Sequence, residues 1–176
     1  MFGRKPKTDP VEMSRRLRGQ ALSVEHGELG LAPTEARQHV WGVLMELGYP
    51  QAVATLVALG DGTTSLYIST GGGIIGAGEH PPVRAAAEKL LAATEAHLDG
   101  FQPVAETPLP QTGRVRFYAR TFDGTLGAEA DEQELGHGRH KLSPVFHAGH
   151  AVITEMRLAS EGQQRSKWSG SGPPVE

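Results

Sequence analysis

Cysteine is absent from the chain, which removes a disulfide framework, a thiolate nucleophile and a cysteine zinc site. The absence fits a reducing cytoplasm, the expected location. No apolar run approaches the roughly 20 residues that span a bilayer, and "MFGRKPKTDP" is followed by no apolar stretch of signal length. A soluble protein with no membrane insertion is therefore expected. Apolar residues, at 38%, are few for a chain that is globular throughout. The deficit sits at the ends. Residues 1–32 read as a mobile basic arm and residues 160–176, "SEGQQRSKWSGSGPPVE", as a disordered tail with little to bury. One domain over 33–159 remains.

Positive charge is scarce in that body. The first twenty residues carry Arg4, Lys5, Lys7, Arg15, Arg16 and Arg18 against Asp9 and Glu12, whereas residues 21–160 hold nine Lys and Arg against sixteen Asp and Glu. An acidic body repels phosphate backbones, so nucleic acid is not an expected partner.

What is present is a clear alternation of periodic segments. "APTEARQHVWGVLMELGYP" has Thr34 as an N-cap, Ala36, Val40, Val43, Leu44 and Leu47 on one face, and Gly48 with Pro50 as a stop; this spacing predicts a helix over 34–47. "QAVATLVALGDGTTSLYIST" predicts a hairpin about Asp61-Gly62, pairing Val57 with Leu66 and Thr55 with Ile68. After a glycine loop at 71–78, Pro81-Pro82 opens a second helix ending near Gly100. A Pro-rich stretch offers at most an edge strand over 103–107. "GRVRFYARTFDGTLGAEADEQ" predicts another hairpin, about Asp123-Gly124, with Phe117 opposite Ala130 and Arg116 opposite Asp131. A polar connection leads to a last helix over 144–159. The expected class is α/β (α+β): a mostly antiparallel five-stranded sheet with helices on both faces, in the order α-β-β-α-β-β-β-α.

This order, with "LVALGDGTTSLYIST" and "FYARTFDGTLGAEAD" as its two hairpins, resembles the roadblock/LC7 family of profilin-like folds over residues 33–159. The glycine loop, the 132–141 insertion and the basic arm depart from that pattern. The resemblance implies a homodimeric, non-catalytic platform without a cofactor, whose further partner is a small GTPase or a scaffold built on one.

Three motifs compete with that reading. Gly71, Gly73 and Gly76 spell G-x-G-x-x-G, but Ala77, Gly78, Glu79 and His80 intervene before the helix, and Glu79 puts negative charge where a phosphate would lie. The alternative function is a small enzyme or ligand sensor using this loop and His80. "FDGTLG" matches the end of a phosphatase motif whose nucleophilic aspartate is Thr121 here. His137 with His140, and His147 with His150, are three apart and could form a metal-binding or pH-sensitive patch; exposed histidines are the plainer reading. Arg116 and Arg120 alternate with Tyr118, a pattern that can stack bases, though pairing with Glu129 and Asp131 is the simpler expectation. The partner or dimer interface is expected at Gly73, Ile74, Ile75 and Gly76, with Trp41 and Tyr118 as interface aromatics. In an extended stretch one isoleucine packs inward while the other faces out.

Overall fold

The segment expected to open the domain as a helix is instead its central strand. In the computed structural model, which describes residues 8–169, β1 (Val40–Gly48) is buried along its whole length. It pairs with β2 (Val53–Leu59) on one side and β6 (Arg114–Thr121) on the other. A short apolar run reads equally as a buried strand or a buried helix. Here a bulge deepens the ambiguity: the register with β6 shifts between Val40 and Gly42. Val40 and Val43 therefore reach the same core, and their spacing imitates one helical turn. Thr34 does cap, but only a local turn, its Oγ1 accepting from Arg37 N at 3.1 Å.

Among the described residues the sheet is antiparallel and has seven strands, not five. Besides those named, it contains β3 (Thr64–Ile68), β4 (Gly73–Ile74), β5 (Gln102–Pro103) and β7 (Gly124–Asp131), in the order β4-β3-β2-β1-β6-β7-β5. The edge strand expected over 103–107 is this two-residue β5. Helix α2 (Pro81–Ala96) and α4 (Ser143–Ser169) cover one face, with the short α3 (Glu132–Gly136) inside the stretch read as a polar connection. Fully buried Leu56, Leu90, Phe117, Leu142 and Met156 lie between them and the sheet; each such side chain contributes about 1.5–3 kcal/mol.

The opposite face is covered by a helix in the segment read as a mobile arm. In α1 (Pro10–Ser23), Asp9 caps the first turn by accepting from Val11 N, and Pro10 takes the first helical position. Leu17, Ala21 and Leu22 then pack against Trp41, Leu44, Val57 and Tyr118. At the other end, α4 continues ten residues past the expected stop, into the segment read as tail. Among the described residues no helix is long and apolar enough to cross a membrane.

Both hairpins form, each with a shifted register. The β2–β3 loop has three residues: Gly62 N donates to Leu59 O, and Gly62 takes φ 96°, a type I turn closed by a left-handed glycine. Val57 thus faces Ser65 and Thr55 faces Tyr67. This one-residue slip carries Tyr67 to the α1 face. In the β6–β7 hairpin the turn falls at Phe122-Asp123, so Phe117 faces Ala128 and Arg116 faces Glu129. That slip is two residues, and the expected faces survive.

A carboxylate ties the helices to the central strand. Glu95 of α2 accepts from Val40 N at 2.7 Å and from His39 N and Nδ1. Burial works against its charge, but these donors outweigh it and hold the carboxyl below its usual range. A depressed pKa means the contribution is complete above the ordinary carboxylate value of about 4.3 and is lost as pH falls through the lower folded value. The stability gap between wild type and Glu95→Gln, measured by urea melts, should therefore be largest near neutrality and close on acidification. A gap independent of pH would rule this out.

Candidate functional site

The glycine loop is an ordered edge of the sheet. Strand β4 pairs with β3, Leu66 opposite Ile74 and Tyr67 opposite Gly73. Gly73 has φ 144°, and a Cβ there would lie 2.0 Å from the Leu66 carbonyl oxygen, so only glycine permits this approach. Gly76, also left-handed at φ 70°, donates from its N–H toward Ser65 Oγ at 3.4 Å. The two isoleucines separate: Ile74 packs on the core, and Ile75 is 65% exposed.

That geometry is poor for a phosphate. Helix α2 begins with Pro81 and Pro82, which have no N–H to donate, and the next residue, Val83, is buried. Glu79 sits in the 3-10 turn just before. His80 Nε2 lies 3.2 Å from Gln163 Nε2 of α4, beside a cavity of about 150 Å3 between the loop and α4. The loop and His80 are thus brought together, but without the converging backbone donors that hold an anion at a helix start.

His137 and His140 lie in the loop after α3, and His147 and His150 lie on α4. His137 Nδ1 lies 2.8 Å from Gln133 O, and His140 Nδ1 accepts from Leu142 N. His150 packs against the Phe146 ring, centroids 4.4 Å apart, and its buried Nε2 has no partner among the described residues. Burial pulls its pKa down, His147 adds to that, and Glu132 opposes it. Among the described residues no three His, Asp or Glu gather into a metal-binding group.

Trp41 and Tyr118, read as interface aromatics, are both 2% exposed. Trp41 donates from Nε1 to Thr121 O at 3.0 Å, and Tyr118 donates from its hydroxyl to Pro108 O at 2.6 Å. Neither can meet a partner while this face of the sheet stays covered. Arg120 also departs from expectation: instead of pairing with Glu129 or Asp131 it lies over Trp41, 4.8 Å from the ring centroid, and donates to carbonyls at the end of α1.

The most concentrated polar chemistry lies under α1. Glu46, on central β1, is fully buried. Arg18 of α1 meets it in a fork, Nε to Oε1 at 2.6 Å and Nη2 to Oε2 at 2.9 Å, and Nη2 also donates to Thr107 O. Thr55 donates its hydroxyl to Glu46 Oε1 at 2.8 Å. Arg116, opposite Glu46 in the register, forms an ion pair with Glu129. Burial disfavours the Arg18 charge, but Glu46 more than offsets this and raises its pKa. Burial, reinforced by Glu46, pushes the Tyr118 phenol up against the pull of Arg116 and Arg18. Beside the network a cleft of about 310 Å3 opens between α1, the β2–β3 sheet surface and Leu109. No sequence motif marks it. Its legible sign was Glu46 itself, a lone carboxylate in "VWGVLMELG", because a buried charge requires a partner.

No protein-family model, curated protein or solved structure matches the chain.

Proposed function

We propose that the protein is a non-catalytic interaction module of the cytoplasm that associates with itself through the β4 edge and its glycine loop and uses the assembly to hold a protein partner. The observation that carries this reading is Ile75. A large apolar side chain left 65% exposed on a backbone held by closely packed glycines is a preformed anchor, presented without the entropic cost of ordering a loop. The opposite sheet edge, β5, carries Pro103, which blunts it against strand addition. Self-association through β4 leaves a two-fold arrangement in which the same patch serves both copies.

A small GTPase as the further partner rests on the roadblock/LC7 resemblance alone. The two hairpins support that resemblance; the helix it places at 34–47 is strand β1, and the sheet has two more strands than the family pattern.

Two aspartate substitutions test the edge. Ile74→Asp should lower the melting temperature by several degrees, since it places a charge against the core. Ile75→Asp should leave melting unchanged while shifting the mass by light scattering from dimer to monomer. A wild-type protein that is monomeric at tens of micromolar, or an Ile75→Asp dimer as stable as wild type, would defeat the proposal.

A further inference from the structure

The cleft beneath α1 has the composition of a small-molecule site. Its volume, about 310 Å3, is at the lower end of the range for ligand pockets. Val11 and Leu109 supply an apolar rim and are themselves 37% and 47% exposed. Exposed aliphatic side chains lining one concave opening lose water-exposed area when an apolar chain fills it.

Three polar groups lining the cleft can still donate to an acceptor: the Arg18 guanidinium and the hydroxyls of Ser14 and Tyr67. A guanidinium has five N–H groups; Arg18 spends Nε and Nη2 on Glu46 and Thr107, and Nη1 takes part in none of these bonds. Ser14 and Tyr67 line the same cleft, are each 7% exposed, and their hydroxyls have no partner among the described residues. Neither oxygen is among the buried unpartnered atoms of the described residues, so both are presented to the open cleft rather than sealed in the protein. The one carboxylate below, Glu46, already accepts from Arg18 and Thr55. Arg15, which also lines the cleft, is paired with Glu12 at 2.9 Å. The guanidinium can only donate and the two hydroxyls can donate or accept, so a head group that accepts is the one that suits all three.

We propose that this cleft binds a small amphiphile with a carboxylate head: the head accepts from Arg18 Nη1, Ser14 and Tyr67, and the alkyl chain lies between Val11 and Leu109. A carboxylate offers acceptors only, which suits a guanidinium that can only donate and hydroxyls that can do either. The site is independent of the β4 edge, and because α1 supplies one wall, the bound ligand braces that helix against the sheet.

Titration calorimetry with sodium octanoate, octan-1-ol and octylamine on the full chain decides the matter. Octanoate is expected to bind at least about tenfold more tightly than the amine, whose head only donates, and more tightly than the alcohol. The double variant Ser14→Ala/Tyr67→Phe removes two hydroxyls that hold nothing in the protein, so it should keep its melting temperature and lose about tenfold in octanoate affinity. Leu109→Asp should abolish binding from the rim. No octanoate heat at millimolar concentration, amine binding equal to octanoate, or octanoate binding undisturbed by both variants would each overturn the assignment.

Discussion

The Arg120→Ala variant is expected to lose about 3 kcal/mol of stability and to release the end of α1. Arg120 is 4% exposed and comes from β6. Its Nη1 donates to Ala21 O and Leu22 O, and its Nη2 to Val24 O at 2.8 Å. These are carbonyls of the last turn of α1 and its cap, which no further helical N–H can satisfy. A cation there also meets the negative end of the helix dipole. Burial lowers the Arg120 pKa, and Glu25, 3.8 Å away, restores part of it. The guanidinium is therefore held chiefly by carbonyls and the Trp41 ring. Alanine removes the donors and leaves buried carbonyls bare, so a lower urea midpoint should come with faster proteolysis within residues 24–39. Arg120→Lys should fall between, since one ammonium cannot reach three carbonyls in a fixed fork. A midpoint unchanged in Arg120→Ala would mean that Leu17, Ala21 and Leu22 hold the helix by packing alone.

Glu46→Ala should be costlier still, about 3–5 kcal/mol, because it strands the Arg18 guanidinium against a sheet face built around its partner. Glu46 is 0% exposed, and three of its contacts come from Arg18 and Thr55. Replacing both members by apolar residues of similar volume removes the stranded charge as well as the attraction. Arg18→Met/Glu46→Leu should therefore recover most of the loss, and a double-mutant cycle read by chemical denaturation would return a strong coupling. A Glu46→Ala cost under about 1 kcal/mol would place the pair with exposed ion pairs. It would then contribute little to holding α1.

Much of the local structure was legible. Helix α2, both hairpins and the core stripe of α4 were readable because their signals are short-range: a Pro pair at a helix start, Asp-Gly turns, apolar spacing of three and four. The separation of Ile74 from Ile75 followed from strand alternation. Register was less accessible. In both hairpins the Asp-Gly pair located the turn within a residue or two, but whether the loop closes on two residues or three depends on the backbone conformation of one glycine. In β2–β3 that difference moved Tyr67 to the other face.

The amino-acid sequence by itself determined where the chain turns, which segments alternate and that a single acidic body carries them. It also left one clue to the site, a carboxylate inside an apolar run. Tertiary structure decided the rest. Residues 40–48 are apolar enough for either helix or strand, and they are a strand because β2 and β6 flank them and satisfy their backbone on both sides. The basic segment before them is a docked helix because Arg18 finds Glu46, 28 positions later, and because Arg120, nearly a hundred positions on, finds the carbonyls at its end. Such pairs leave no local periodicity. The free energy that orders α1 comes from groups distant in the chain, so no window of sequence short enough to show a pattern contains both halves of it.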